Sequence, residues 1–385
     1  MIPYGRQDIT QDDIDSVIEV LQSDFLTQGP QVPVFEASIQ DYCGVEFALA
    51  VNSGTSALHI ACLALGIGPE DEVWTSPITY VASANCARYC GASVDFVDID
   101  PRTYNMSVES LAHKLQERKE SGGALPAAVI PVHLCGQSCD MQAIKALGDE
   151  YGFRIIEDAS HALGGRYRDK PIGDCRYSDM TVFSFHPVKI ITTAEGGAVT
   201  TRSPNLAEKL DLFRSHGVTR DESLMTQPSH GPWYYEQIEL GYNYRMTDLQ
   251  AALGTSQMKR LDANVARRHE IAARYDTLLA DSPLQLPFRE AFNYSAFHLY
   301  VVLLHEARAA ERREVFESLR AQGIGVNVHY IPVHTQPFHV DPGREAGAFP
   351  CAEDYYSRAI SIPMYASLTD EQQDQVVAAL GSALS

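Results

Sequence analysis

Short apolar runs alternate with amphipathic helical stretches through the first half of the chain, and this constrains the fold more than any other feature. EFALAVNS (46–53) reads as a strand and TSALHIACLALG (55–66) as a helix. EVWTSP (72–77) is strand-like and YVASANCARYCG (80–91) helical, and SVDFVDID (93–100) and SVESLAHKLQERK (107–119) repeat the pair. AAVIPVHL (127–134), a helical stretch at 140–152 and FRIIEDAS (153–160) continue the pattern. Strands separated by helices of about 10–15 residues imply βαβ units and a mainly parallel sheet, so the chain is read as α/β. The rhythm then breaks: MTVFSFH (180–186) and GGAVTTR (196–202) are β-rich and joined by a short connection with no full helix.

Helical periodicity dominates 203–282, with Gly254 and a break near Asp262 leaving one long element or two. DSPLQLP (281–287) reads as a boundary segment. Beyond it HLYVVLL and GVNVHYI read as strands, and RREVFESLRAQG, 352–360 and 369–383 as helices. The expected organisation is a large domain with its N-terminal segment at 1–255, then linking helices and a small C-terminal α+β domain at 256–385.

Lys plus Arg is 30 against 50 Asp plus Glu, a formal charge of −20. Such a surface repels a phosphate backbone, which argues against a nucleic-acid partner while leaving room for a local phosphate pocket. No run reaches the ~20 apolar residues of a membrane span, and the N-terminus lacks the pattern of a secretory signal. Eight scattered cysteines without a Cys-x-x-Cys pair fit reduced thiols, so a cytoplasmic protein is expected. Cys135 and Cys139 with His133 lack the second pair a zinc site needs, so no metal is expected.

In open α/β sheets ligands bind at the carboxyl ends of the strands. NSGTSA (52–57) follows a strand and opens a helix; its amides, with the Ser53, Thr55 and Ser56 hydroxyls, suit an anion, although an ordinary helix cap would read the same way. There is no G-x-G-x-x-G or Walker-type run. Asp158 ends the apolar FRII run, where a carboxylate must be paired, hydrated or bonded to a cation. Of the seven lysines, 114, 119, 145, 170, 209 and 259 read as solvated. Lys189 differs, standing among aromatic and β-branched residues in FSFHPVKIITTAEGG just past a strand. A desolvated lysine has a lowered pKa and can act as an amine nucleophile or base. A phosphate nest, an acid to keep a ring nitrogen protonated and a reactive lysine are together what pyridoxal phosphate requires. Tyr80, ending SPITY, could stack on its ring.

SGTSAL (53–58), EDASHALGG (157–165), SFHPVKIITTAEGG (184–197), GYNYRMTDLQAALG (241–254), GVNVHYIPVHTQPF (325–338) and SIPMYASLTDEQ (361–372) span nearly the whole chain. With these stretches the sequence resembles the fold-type-I, pyridoxal-phosphate-dependent aminotransferases that act on nucleotide-linked keto-sugars, the DegT/DnrJ/EryC1/StrS type. The resemblance implies a large domain with a mainly parallel central sheet flanked by helices and a small C-terminal α+β domain. It implies that Lys189 is the Schiff-base lysine, that Asp158 binds the pyridine nitrogen, that Thr55, Ser56 and Ser184 hold the phosphate and that Tyr80 stacks on the ring. Asn243 would reach the cofactor phosphate of the partner subunit, which implies a homodimer with shared active sites. His161 stands where many members carry Gln and would contact the cofactor ring or its oxygen. His329 would contact substrate.

MIPYGRQDIT, SDFLTQGP and HPVKIITTAEGG look closest to the branch serving pseudaminic acid synthesis. The expected reaction moves an amino group from L-glutamate to C4 of a UDP-linked 4-keto-6-deoxy-N-acetylhexosamine, with pyridoxamine phosphate as the intermediate cofactor form. The alternatives are transamination of another nucleotide-linked 3- or 4-keto-sugar and sugar dehydration. Members of the dehydrating branch replace the lysine by histidine, whereas Lys189 is intact.

Overall fold

Seven strands form the central sheet: β1 (Phe47–Val51), β2 (Glu72–Thr75), β3 (Ser93–Phe96), β4 (Ala128–Ile130), β5 (Arg154–Asp158), β6 (Met180–Ser184) and β7 (Gly197–Thr201). Their order is β1-β7-β6-β5-β4-β2-β3 in the computed structural model, which describes residues 1–341, 343 and 347–385. Six strands run parallel and β7 alone runs against its neighbours β1 and β6. The missing helix between 186 and 196 explains this, because a short connection can only return antiparallel.

Helices α1 (Gln11–Leu21), α2 (Gln31–Cys43), α3 (Gly54–Ala64), α4 (Ala82–Tyr89), α5 (Val108–Glu120), α6 (Met141–Tyr151), α7 (Pro204–Arg214) and α8 (Asp248–Met258) belong with this sheet. On one face α3, α4 and α7 bury Leu58, Cys86 and Leu210 against Val73, Ile156, Val182 and Val199. On the other, Phe35 and Ile39 of α2 and Ala251 of α8 meet Ala48, Phe183 and Ala198, while Leu111, Leu115 and Ile144 of α5 and α6 meet Trp74, Val129 and Ile155. Burial on both faces is what turns the strands into near-continuous apolar runs. The N-terminal segment is tied down by polar contacts: buried Asp13 accepts from Ser256, Gln257 and Arg260, and Asp248 accepts from the Gly29 and Gln31 amides.

The C-terminal part has its own antiparallel sheet of β8 (Leu284–Gln285), β9 (Tyr300–Leu304) and β10 (Ala359–Ile362). It is covered by α9 (Leu261–Leu278), α10 (Arg312–Ala321) and α12 (Asp370–Ala383) through Tyr275, Val315, Leu319, Val376 and Leu380. Its other side meets the large sheet's surroundings, with Leu299 and Val301 against Ile78, Phe96 and Leu134 and with α11 (Pro350–Arg358) alongside. Helix α9 enters both cores: Leu261 and Val265 lie under the large sheet, Ile271 and Tyr275 under the small one. No helix among the described residues is long and apolar enough to cross a membrane.

The helical run at 247–280 is two helices, broken at Lys259–Arg260, close to the break expected near Asp262. Three expectations change. The helix expected at 352–360 ends at Arg358, because Ala359–Ile362 pairs with β9 and tertiary pairing overrides the helical pattern. GVNVHYI is not a strand; its one ladder contact is Asn327 with Ser361, after which His329 and Tyr330 turn toward a cavity. Lys114 is not solvated, since its ammonium lies 2.6 Å from both Asp95 and the Phe96 carbonyl and 4.5 Å from the Trp74 ring centroid.

Candidate active site

The carboxyl ends of the parallel strands converge on a cavity of about 960 Å³. Strand β1 runs into α3, whose N-cap Ser53 accepts from the Ser56 amide at 3.1 Å. The amides of Gly54 and Thr55 precede the first intrahelical bond and take no backbone partner among the described residues, so they and the helix dipole face the cavity. Ser56 Oγ donates to Asn52 Oδ1 at 2.7 Å. Ser184, at the end of β6, closes the other side, and a Cβ on Gly54 would stand 2.9 Å from Ser184 Cβ. Gly197 pairs with both Val51 and Ser184, where a Cβ would come within 2.5 Å of the Ser53 carbonyl oxygen. Two glycines therefore let helix, β6 and β7 crowd together at the anion nest.

Asp158 closes β5 and is 5% exposed. Its Oδ1 accepts from the Ser160 amide (3.1 Å) and hydroxyl (2.6 Å), and its Oδ2 from Ser83 Oγ (2.6 Å). Three donors fix the carboxylate in one orientation at the cavity wall.

Lys189 lies in the connection between β6 and β7, its amide bonded to the His186 carbonyl. It is partly buried in the cavity wall, and burial pushes its pKa down to about 8 against the opposing pull of Asp158. The cavity thus holds an amine that is partly unprotonated near neutrality.

Three histidines share the same space. His161 is bonded at both ring nitrogens, at Nδ1 by the Cys135 amide (3.3 Å) and at Nε2 with the Tyr330 hydroxyl (3.0 Å), which leaves the ring face, not a nitrogen, for a ligand. Burial first, then the Lys189 and His329 charges, holds its pKa well below the usual value. His329 lies 2.8 Å from Ser361 Oγ and 3.3 Å from Asn327 Nδ2; burial, then Lys189, lowers its pKa to about 3. His298 lines the cavity with a buried Nδ1 that has no partner among the described residues.

The structure brings Thr55, Ser56, Tyr80, Asp158, His161, Ser184, Lys189 and His329 to one cavity. Tyr80 is 62% exposed with its ring centroid 6.2 Å from that of Tyr330. Asn243 is not on this wall of its own chain; it is exposed, and its carbonyl accepts from Asn52 at 3.3 Å. Sequence reasoning missed Ser83, Ser160, His298 and Tyr330. Ser160 was findable two residues after Asp158 and Ser83 one helical turn after Tyr80, but His298 and Tyr330 arrive only through tertiary contacts.

These donors fit a cofactor carrying a phosphate, a ring nitrogen and an aldehyde: the nest of α3, the fixed carboxylate and the Lys189 amine line one space. A family model, the DegT/DnrJ/EryC1/StrS aminotransferase family, matches residues 7–381. The chain belongs to that family. This aminotransferase is accordingly a pyridoxal-phosphate enzyme of fold type I. It is 40% identical to the spore coat polysaccharide biosynthesis protein SpsC of Bacillus subtilis, over 98% of this chain and 96% of that one. It is 38% identical to the UDP-4-amino-4,6-dideoxy-N-acetyl-β-L-altrosamine transaminase of Campylobacter jejuni subsp. jejuni, over 95% and 93%. The solved structure of Helicobacter pylori PseC, an aminotransferase involved in the biosynthesis of pseudoaminic acid, superposes with a TM-score of 0.89 at 31% identity, covering 100% of this chain and 99% of that one.

Proposed function

We propose that this aminotransferase moves the amino group of L-glutamate to C4 of a UDP-linked 4-keto-6-deoxy-N-acetylhexosamine, the reaction class of pseudaminic acid synthesis. The observation that carries the reading is the partly buried Lys189 amine sharing one cavity with a fixed Asp158 carboxylate, together with the 38% identity to the altrosamine transaminase along 95% of the chain. When bound, the cofactor supplies an aldehyde for amine exchange and a ring that takes up negative charge from the amino acid's α-carbon.

The chain's residues then have these parts. Lys189 Nζ holds the cofactor at rest and afterwards carries the proton to and from the reacting carbons. Asp158, oriented by Ser83 and Ser160, keeps the ring nitrogen protonated. The Gly54 and Thr55 amides with the Thr55, Ser56 and Ser184 hydroxyls hold the phosphate. Tyr80 covers one ring face, and His161 offers its own face to the ring. His329, kept neutral by burial, contacts the sugar. Asn243 is exposed beside the nest and reaches the phosphate of a partner subunit, making the working unit a homodimer with shared sites. The enzyme acts in the cytoplasm, where glutamate and nucleotide sugars are supplied.

The test is an amine-transfer assay with glutamate and a panel of UDP-, GDP- and dTDP-linked keto-sugars, product configuration being read by NMR. Formation of a 4-amino UDP-sugar supports the reading. Turnover confined to dTDP- or GDP-linked or 3-keto sugars overturns the sugar assignment, and loss of a sugar hydroxyl as water without amine transfer overturns transamination.

A further inference from the structure

One wall of the cavity carries a directed chain of hydrogen bonds. Cys135 sits in a left-handed turn (φ 60) followed by Gly136. A Cβ on Gly136 would come 2.8 Å from the Phe297 nitrogen and 3.0 Å from the His161 carbonyl oxygen, so the turn is clamped with its Cys135 amide against the His161 ring. A backbone N–H can only donate, so His161 Nδ1 must be the unprotonated nitrogen. The ring is held neutral by burial, and its single proton therefore sits on Nε2 and is donated to Tyr330 Oη at 3.0 Å. Tyr330 is itself kept protonated by burial, with Cys135, Asp158, Tyr4 and Tyr80 adding to that effect. Having accepted from His161, its hydroxyl still has a proton to give, and no acceptor for it stands among the described residues. The hydroxyl belongs to the cavity wall that also holds Lys189 and Asp158.

We propose that Tyr330 is a catalytic hydrogen-bond donor, aimed by the Cys135–His161 relay at an acceptor oxygen of the bound reactants, either the cofactor's ring oxygen or an oxygen of the sugar. His161 is then a positioning residue that fixes which way the Tyr330 proton points. The proposal rests on this cavity being the transamination site. It differs from a ring-stacking role for His161, because the imidazole acts through its two nitrogens.

Three variants test it: Tyr330→Phe, His161→Ala and His161→Gln. Glutamine can accept from the Cys135 amide and donate to Tyr330, so it preserves the relay that alanine breaks. In substrate-free, cofactor-loaded protein, a donor at the ring oxygen draws electron density away and lowers the basicity of the neighbouring nitrogen. If the cofactor is the acceptor, Tyr330→Phe and His161→Ala move the visible absorbance transition to higher pH by a similar amount, and His161→Gln returns it to the wild-type position. Lys189, Asp158, His298, His329, Tyr4, Tyr80 and Cys135, which surround the pair, are unchanged in every variant. If the sugar is the acceptor, the transition stays put while KM for the keto-sugar rises tenfold or more in Tyr330→Phe and His161→Ala, with His161→Gln near wild type. Histidine ¹⁵N shifts in the cofactor-free protein should place the His161 proton on Nε2. A proton on Nδ1 overturns the proposal, as does a Tyr330→Phe variant with both transition and KM unchanged. Failure of the wild type to transaminate any keto-sugar would sink the functional reading instead, leaving the absorbance and NMR results to decide the relay.

Discussion

Ser83 Oγ donates to Asp158 Oδ2 across 2.6 Å, joining a helix to a strand end 75 residues away in sequence. Ser83 is itself 2.6 Å from the Thr79 hydroxyl, so Thr79 donates to Ser83 and Ser83 to the carboxylate. Ser83 is buried, and its hydroxyl holds the carboxylate still.

Ser83→Ala should therefore weaken the cofactor without emptying the site. Loss of a hydrogen bond to a charged group costs about 1.5–3 kcal/mol, or roughly 10- to 100-fold in affinity. Titration of the cofactor-free variant with pyridoxal phosphate, followed by absorbance, measures this. An unchanged dissociation constant would show that the Ser160 donors suffice.

Lys189 sets a pH dependence. Its folded pKa of about 8 lies below the ordinary 10.5, so below pH 8 the folded protein must bury an ammonium that the unfolded chain keeps in water. The unfolded state binds more protons between these values, so the stability of the cofactor-free protein rises with pH across that window. Lys189→Met should abolish turnover yet raise the melting temperature at pH 7, with the gain fading as pH approaches 10.5. A variant that melts lower at pH 7 would contradict this. In the wild type, cofactor capture followed by stopped flow should quicken about tenfold per unit up to pH 8 and then level.

Gly54→Ala tests the crowding at the nest. Replacing glycine with alanine in a helix ordinarily gains up to about 1 kcal/mol. Here the new methyl would meet Ser184 Cβ at 2.9 Å, with Ser184 Oγ at 3.2 Å and its Cα at 3.5 Å. The clash should win, with both melting temperature and cofactor affinity falling. A higher melting temperature with unchanged affinity would mean that β6 can yield.

Arg268 is 2% exposed, and burial lowers its pKa to about 10. Its guanidinium donates to the carbonyls of Phe297, His298 and Met364, tying α9 to the strand entry that carries His298. Arg268→Ala would leave buried carbonyls without their donor and should cost about 2–4 kcal/mol. Urea denaturation measures it, and a loss below about 1 kcal/mol would show that water replaces the side chain.

The sheet was legible in the sequence because its strands are apolar on both faces and its helices intervene regularly. The β6–β7 pair was legible as the place where the rhythm breaks. Lys189 stood out because the other lysines have helical, charged or turn neighbours, although Lys114 shows that a helical position does not guarantee solvation. GVNVHYI misled because its alternation has a different cause: His329 and Tyr330 turn aside to line the cavity instead of continuing beside β10. His298 and Tyr330 could not be read at all, since their roles depend on partners far away in sequence that only folding brings near.

Helix α9 also governs how the molecule comes apart. Its first turns seal the core below the large sheet and its later turns seal the core of the small one, so neither half can melt without uncovering apolar surface in the other. The two halves share one fate on heating: a single calorimetric peak, and no limited proteolysis that releases either as a surviving fragment.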